Sequence, residues 1–235
     1  RRLGQGSTPL RSSLYRDLST SATTVAYWPM EDGRNATTSA PAVGGSPLVV
    51  FGEVTMAGYS DFAGSAAVPT FGADAHMYGT FANYTPDDRQ RIACMLHQTD
   101  DQAVDCNLIA LRCTGGTISE VILVLKSDGS LRLVMRDLSG SNVLDESAAI
   151  GDLRDENAMV WVLLNQNGSD IDWQFGKIGE GETFGTINED TLADYTYGRY
   201  TAVTLGSASD LAGAALGHLH LTQGSDDSGF WSTVD

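Results

Sequence analysis

The chain has 235 residues, of which 42% are hydrophobic and 19% are charged, a composition typical of a folded globular domain. Its 30 acidic and 14 basic residues give a net charge of −16, which argues against nucleic acid or an anionic membrane surface as a partner. No run of about 18 apolar residues is present to insert into a membrane.

Residues 1–22 are predicted to form an N-terminal arm or linker ahead of the main domain. Within it, "PLRSSLYRDL" predicts one short helix with Leu10, Leu14 and Leu18 on a single face. The first residues lack the apolar segment of a signal peptide. We therefore expect the protein to fold in the cytoplasm of the cell that makes it.

The three cysteines agree with that expectation. Cys94, Cys106 and Cys113 are odd in number and have no regular spacing, so they make a poor disulfide framework. Cys94 and Cys113 lie in apolar runs, where a thiol packs like a small hydrophobic side chain. The pattern favours a reducing compartment.

Residues 23–224 are predicted to be one domain that begins with the strand "VAYWPM". Trp28 is expected to face the core, and Glu31 and Asp32 to carry the chain out into solvent. A contact with Ca²⁺ or a sugar at the end of this strand is the alternative reading. The next apolar run, "PLVVFGEVTM", is interrupted at Gly52, which we interpret as a bulge.

Two hairpins follow in the middle of the chain. Asp128-Gly129 and Asn167-Gly168 each lie between β-rich runs, and both dipeptides are strong turn signals. The alternation after the first turn places three residues on one face: Leu131, Leu133 and Met135. Trp161 and Trp173, on the two arms of the second hairpin, are predicted to be core residues.

The last strand, "AALGHLHLTQ", alternates apolar and polar residues, and residues 225–235 are predicted to be a tail or the start of a linker. The alternation predicts one face with Leu216, His218 and His220 and the other with Leu219 and Leu221. No segment after residue 25 has ten residues of helical periodicity. Short strands separated by turns are typical of an antiparallel sandwich or barrel.

The order of these segments resembles the laminin-G/concanavalin A-like jelly roll. The resemblance is carried by "YWPMEDG" near the start, the Asp-Gly hairpin, a "WVLL" strand paired across a turn, and "LGHLHL" at the end. It implies an all-β fold, an antiparallel β-sandwich preceded by a short N-terminal arm.

A narrower resemblance is to minor tail proteins of bacteriophages that infect actinobacteria. It is carried by "AYWPMEDGR", "FAGSAAVPTF", "DIDWQFG" and "TYGRYTAVTLG". It implies a virion protein, made in the host cytoplasm, that is non-enzymatic and serves in structure and adhesion. Its expected partners are other tail proteins, copies of itself and host cell-wall glycan. A carbohydrate-binding domain of a bacterial extracellular protein and a glycoside hydrolase of the same fold are the alternatives.

The segment "DYTYGRY" is the candidate ligand-binding surface. Exposed aromatic rings beside polar groups are suited to stacking on sugars and to binding their hydroxyls. The candidate residues are Asp194, Tyr195, Tyr197 and Tyr200. An edge strand or an interface with another virion subunit is the alternative reading of this segment.

No catalytic residue is predicted, because the sequence has no triplet of acids at alternating positions on one strand. The nearest pattern is Asp170 and Asp172, which share a face if the strand is regular from residue 170. These two are the candidate ligands for Ca²⁺, which binds carboxylate and carbonyl oxygens. Solvated carboxylates just past a turn are the alternative.

Overall fold

The computed structural model describes residues 11–81, 84, 88–98, 104–148, 153, 156–179, 188–206, 211 and 213–224. One helix, α1 (Ser13–Ser19), precedes the strands. The first eight strands are β1 (Thr24–Trp28), β2 (Thr38–Ser39), β3 (Leu48–Phe51), β4 (Val54–Tyr59), β5 (Val68–Phe71), β6 (His76–Thr80), β7 (Arg89–Gln98) and β8 (Cys106–Thr114). The other eight are β9 (Ile118–Leu125), β10 (Leu131–Asp137), β11 (Asn142–Ala148), β12 (Asn157–Asn167), β13 (Asp170–Gly179), β14 (Asn188–Leu192), β15 (Arg199–Leu205) and β16 (Ala214–Gln223).

The strands form two antiparallel sheets. Sheet A has the order β14-β13-β12-β7-β16-β5-β4, with β1 also paired to β16, and sheet B has the order β11-β10-β9-β8-β15-β6-β3-β2. A continuous cluster of buried side chains from both sheets lies between them. The predicted all-β jelly-roll sandwich is therefore confirmed.

Both predicted hairpins are present. Gly129 and Gly168 have φ values of 81° and 66°, which glycine adopts without a Cβ clash. They turn β9 into β10 and β12 into β13. The residues predicted to share the inward face of β10 are all buried: Leu131, Leu133 and Met135.

The tryptophans and cysteines that were predicted to be buried are buried in the structure. Trp28 and Trp173 belong to the cluster between the sheets, and Trp161 lies in a second cluster on the outer face of sheet A. All three cysteines are buried: Cys94, Cys106 and Cys113. Burial raises the pKa of the Cys94 thiol to about 12, which keeps it protonated and unreactive.

The interpretation of Gly52 as a bulge is wrong. β3 belongs to sheet B and β4 to sheet A, so the chain crosses between the sheets at this point. Gly52 has a φ of 71°, and a Cβ there would lie 2.4 Å from the carbonyl oxygen of Asp74. The position requires glycine because the crossing is tight, and the strand does not continue beyond it.

The predicted alternation of β16 is correct for Leu219 and Leu221 but wrong for Leu216, because this strand changes its partner halfway along. Its first half pairs with β5 and its second half with β1, and its register with β7 shifts between Gly217 and His220. His218, at the shift, has a φ of 50°. This irregularity places three leucines together in the core: Leu216, Leu219 and Leu221.

Helix α1 packs on the outer face of sheet A. It begins at the cap residue Ser12, whose hydroxyl accepts a hydrogen bond from the Tyr15 amide, a common way to satisfy a free helix N–H group. Leu14 and Leu18 are buried against the sheet. Leu10, residues 1–9 and residues 225–235 lie outside the described part of the chain. In that part, no helix has the length and apolar character needed to cross a bilayer.

Candidate functional site

The outer face of sheet A is open where four strands lie side by side: β7, β12, β13 and β14. Their register places outward-facing side chains in two rows that cross the sheet. One row consists of Arg89, Asn165, Asp172 and Thr191. The other consists of Arg91, Leu163, Gln174 and Glu189. With strands about 4.8 Å apart, each row spans about 14 Å.

A groove of about 470 Å³ runs over these rows. This volume lies within the range of about 300–1,000 Å³ that is usual for small-ligand sites. Leu163 is buried at its floor. Arg89 lines the β7 side, and Asp172 and Glu189 line the β13–β14 side. The groove therefore combines an apolar floor with hydrogen-bonding groups of both kinds.

Hydrogen bonds between neighbouring strands hold the polar side chains in place. Asp172 accepts from the Asn165 amide at 3.3 Å and from the Thr191 hydroxyl at 2.9 Å. The Gln174 amide donates to Glu189 at 2.9 Å. A carboxylate accepts about four hydrogen bonds, so Asp172 and Glu189 keep the capacity to accept from a ligand.

Arg91, the arginine of the second row, is buried beneath the residues that line the groove. Its guanidinium carbon lies 5.9 Å from the ring centroid of Trp161, within the range of a cation–π contact. It adds positive charge beneath the β7 side. The face is thus basic along β7 and acidic along β13 and β14.

The structure corrects the predicted aromatic surface of residues 194–200. Tyr197 and Tyr200 are both 0% exposed, so neither ring can stack on a sugar, and the prediction of exposed rings is wrong for both. Burial also raises the pKa of the Tyr200 hydroxyl well above its usual value. Tyr195 is half-buried and packs against the core. Asp194 is exposed, with a φ of 65°.

The same segment nevertheless lines a second cavity, a cleft of about 530 Å³ at the end of the sandwich. Its contribution comes from the residues between the tyrosines, namely Thr196, Gly198 and Arg199. The remaining described lining residues are Asp88, Thr114, Gly115 and Gln166. The predicted segment thus lines a cavity, through residues other than Tyr197 and Tyr200, and ligand binding by Asp194 and Tyr195 stays a prediction.

Asp170 and Asp172 share a face of β13, as a regular strand from residue 170 predicts. They nevertheless have different partners. Asp170 accepts from the Asp194 backbone amide at 3.0 Å, whereas Asp172 belongs to the groove. Among the residues that the structure describes, no group of three or more His, Cys, Asp or Glu side chains is placed to hold a metal ion. Ca²⁺ binding by this pair stays a prediction.

A buried polar cluster links the start of the chain to β16, and the sequence did not reveal it. The Tyr27 hydroxyl lies 2.6 Å from His218 Nδ1, and the Ser65 hydroxyl lies 2.6 Å from His218 Nε2. Glu31 Oε1 accepts from Ser65 at 3.3 Å, from the Ala66 amide at 3.0 Å and from the Ser12 hydroxyl.

This cluster corrects the prediction that Glu31 leads into solvent, since its side chain is only 4% exposed. Burial lowers the pKa of His218 to about 3, and the neighbouring His220 acts in the same direction. The imidazole is therefore neutral at pH 7, although the Glu31 carboxylate lies 3.5 Å away. The cluster fastens α1 to the sheet through Ser12.

No protein-family model matches the chain, and no curated protein is similar to it in sequence. Solved structures with a similar fold include two of Trypanosoma rangeli sialidase. One, in complex with 2,3-difluoro-KDN, has a TM-score of 0.55 and 8% identity over 91% of this chain and 32% of the sialidase. The other, in complex with sialic acid, has a TM-score of 0.52 and 8% identity over 94% of this chain and 36% of the sialidase. The chain thus spans about a third of the length of these sialidases.

A third similar structure is the CBM2 module of the Lactobacillus casei BL23 phage J-1 evolved Dit. It has a TM-score of 0.50 and 10% identity, over 85% of this chain and 94% of the module. The likeness therefore covers nearly the whole of both chains. At these identities it shows the β-sandwich fold alone.

Proposed function

We propose that the chain is a non-enzymatic glycan-binding module of a bacteriophage tail, and that the groove on sheet A is its binding site. The observation that carries this proposal is the pair of outward-facing rows, which are polar except for the buried floor residue Leu163. A sugar hydroxyl both donates and accepts, so it can accept from Arg89 while donating to Asp172 or Glu189. The apolar floor suits the C–H face of a sugar ring.

The phage assignment rests on two kinds of support. The sequence resembles minor tail proteins of phages that infect actinobacteria, and the fold is similar over nearly its whole length to a module from a phage Dit. We infer that the module acts in the virion after folding in the host cytoplasm. Its partners are then other tail proteins, further copies of the chain and host cell-wall glycan.

The arrangement of the carboxylates supports a binding role over hydrolysis. Glycoside hydrolysis uses two carboxyl groups that flank the bond to be cleaved. Asp172 and Glu189 stand on the adjacent strands β13 and β14, and Arg89 faces them from the other side of the groove. Each carboxylate also accepts a hydrogen bond from a neighbouring side chain. Carboxylates placed together on one side of the groove are suited to orienting the hydroxyl groups of a bound sugar.

A glycan array that includes actinobacterial cell-wall polysaccharide tests this proposal. Glu189→Ala should weaken binding about tenfold or more, because it removes a charged hydrogen-bond acceptor. The matched control is Glu146→Ala, since Glu146 is exposed on β11, an edge strand of sheet B. Equal affinity of the two variants would place the site elsewhere. Release of reducing ends from the polysaccharide would contradict the non-enzymatic role.

A further inference from the structure

The second cavity shares a wall with the groove. Asp88 lines the cleft and Arg89 lines the groove; in the same way, Gln166 lines the cleft and Asn165 lines the groove. These residues face each other across the β7–β12 pairing. Asn165 is the register partner of Arg89, and the backbone N–H of Gln166 donates to the Asp88 carbonyl at 2.6 Å. The two cavities are therefore neighbours on either side of one strand pair.

The wall of the cleft is fixed by Gln166. Its side-chain amide donates to the carbonyls of Gly168 at 3.0 Å, Asp170 at 2.8 Å and Tyr195 at 3.3 Å. Its side-chain oxygen accepts from the Tyr197 amide at 3.1 Å. One side chain thus joins the β12–β13 turn to the segment that leads into β15.

The backbone on the other side of the cleft is equally constrained. The Tyr197 hydroxyl donates to the Asp88 carbonyl. Gly198 has a φ of 68°, and a Cβ at this position would lie 2.1 Å from the Thr114 carbonyl oxygen. The segment therefore lies directly against β8, and the Thr117 and Ile118 amides donate to the Thr196 carbonyl at 2.7 Å and 2.8 Å. A cleft formed in advance lowers the entropy lost when a ligand binds.

The chemistry of the cleft suits the same class of ligand as the groove. Exposed Asp88 and Arg199 supply one charge of each sign, and Thr114 and Thr196 belong to its polar lining. Each cavity alone has the volume of a site for one small ligand. A molecule that fills both must be extended and must carry hydrogen-bonding groups along its length.

We propose that the cleft is a second subsite, and that the protein binds an oligosaccharide running from the groove past the Asp88–Arg89 and Asn165–Gln166 pairs into the cleft. The proposal rests on the glycan-binding function proposed above. Its consequence is that affinity depends on chain length. Sugars that occupy the cleft gain from being tethered to those already bound in the groove.

The experiment uses actinobacterial cell-wall polysaccharide that is partially hydrolysed and separated by size into fractions from disaccharides upward. Binding of each fraction is measured by calorimetry with the wild type, Arg199→Ala and the control Arg34→Ala. Arg34 is also exposed but lies outside the lining of both cavities. We expect the long fractions to bind at least about tenfold more tightly than the short ones.

Arg199→Ala should remove most of that gain, whereas Arg34→Ala should behave as the wild type. Hydrogen exchange gives a second readout, since only long fractions should protect the amides of Gly198 and Arg199. Equal affinity for short and long fractions, or a gain that survives Arg199→Ala, would overturn the second subsite while leaving the groove intact. A failure of every fraction to bind would overturn the glycan-binding function itself.

Discussion

The substitution Glu31→Ala should destabilise the protein far more than the neighbouring Asp32→Ala. Glu31 Oε1 is the shared acceptor for Ser12, Ser65 and the Ala66 amide. Removing the acceptor leaves three donors without this partner, and the loss should be about 3 kcal/mol, because hydrogen bonds to a charged group contribute about 1.5–3 kcal/mol. Asp32, by contrast, accepts a hydrogen bond from Ser39 at 2.7 Å, and the loss of that bond should cost about 1 kcal/mol.

Urea denaturation followed by tryptophan fluorescence measures both free energies of unfolding. Limited trypsin digestion gives an independent readout, because Arg16 is exposed on α1. Release of the helix from the sheet should speed cleavage there in Glu31→Ala but not in Asp32→Ala. If the two variants differ by less than about 1 kcal/mol and are cleaved at equal rates, Glu31 does not fasten α1 and the reasoning is wrong.

Three further predictions concern stability. The pKa of His218 is about 3 in the folded protein and about 6.5 in an unfolded chain, so acid favours unfolding. The free energy of unfolding should fall by about 3 kcal/mol from this group between pH 7 and pH 4. If His218→Gln shows the same dependence of unfolding free energy on pH as the wild type, this prediction is wrong. Tyr197→Phe, which removes the hydrogen bond to the Asp88 carbonyl, should lower the free energy of unfolding by about 1–2 kcal/mol; no loss in a urea titration would argue against that bond. Gly198→Ala should cost more than about 2 kcal/mol, since its Cβ would clash with the Thr114 carbonyl, and wild-type stability would show that the segment can shift.

Local sequence signals were enough to predict the hairpins and much of the core. Asp128-Gly129 and Asn167-Gly168 impose turns by their own backbone preferences, and the alternation beside them fixes which residues face inward. These signals act over a few residues and hold wherever the strand is regular. They failed for Leu216 in β16, because the pairing with both β5 and β1 imposes the irregularity at His218.

The candidate site could not be predicted in the same way. Arg89 and Asn165 are neighbours only because β12 pairs with β7, and Thr191 joins them only through β13 and β14. No local pattern encodes that strand order. The prediction that the tyrosines are exposed failed for a related reason. Tyr197 lies in a loop that folds over the core, and Tyr200 lies on the inward face of β15, where it pairs with Cys113 of β8.

One strand, β12, nevertheless carries a sequence signal for part of the outer face of sheet A. The outward positions of β12 are polar at both ends, at Asn157 and Asn165, and apolar between them, at Met159, Trp161 and Leu163. Since its inward positions are apolar as well, the middle of β12 has no polar face and must be covered on both sides. The cover is the cluster that includes the leucines of α1. The return to polar residues at Asn165 marks where the cover ends, and that boundary is where the groove opens.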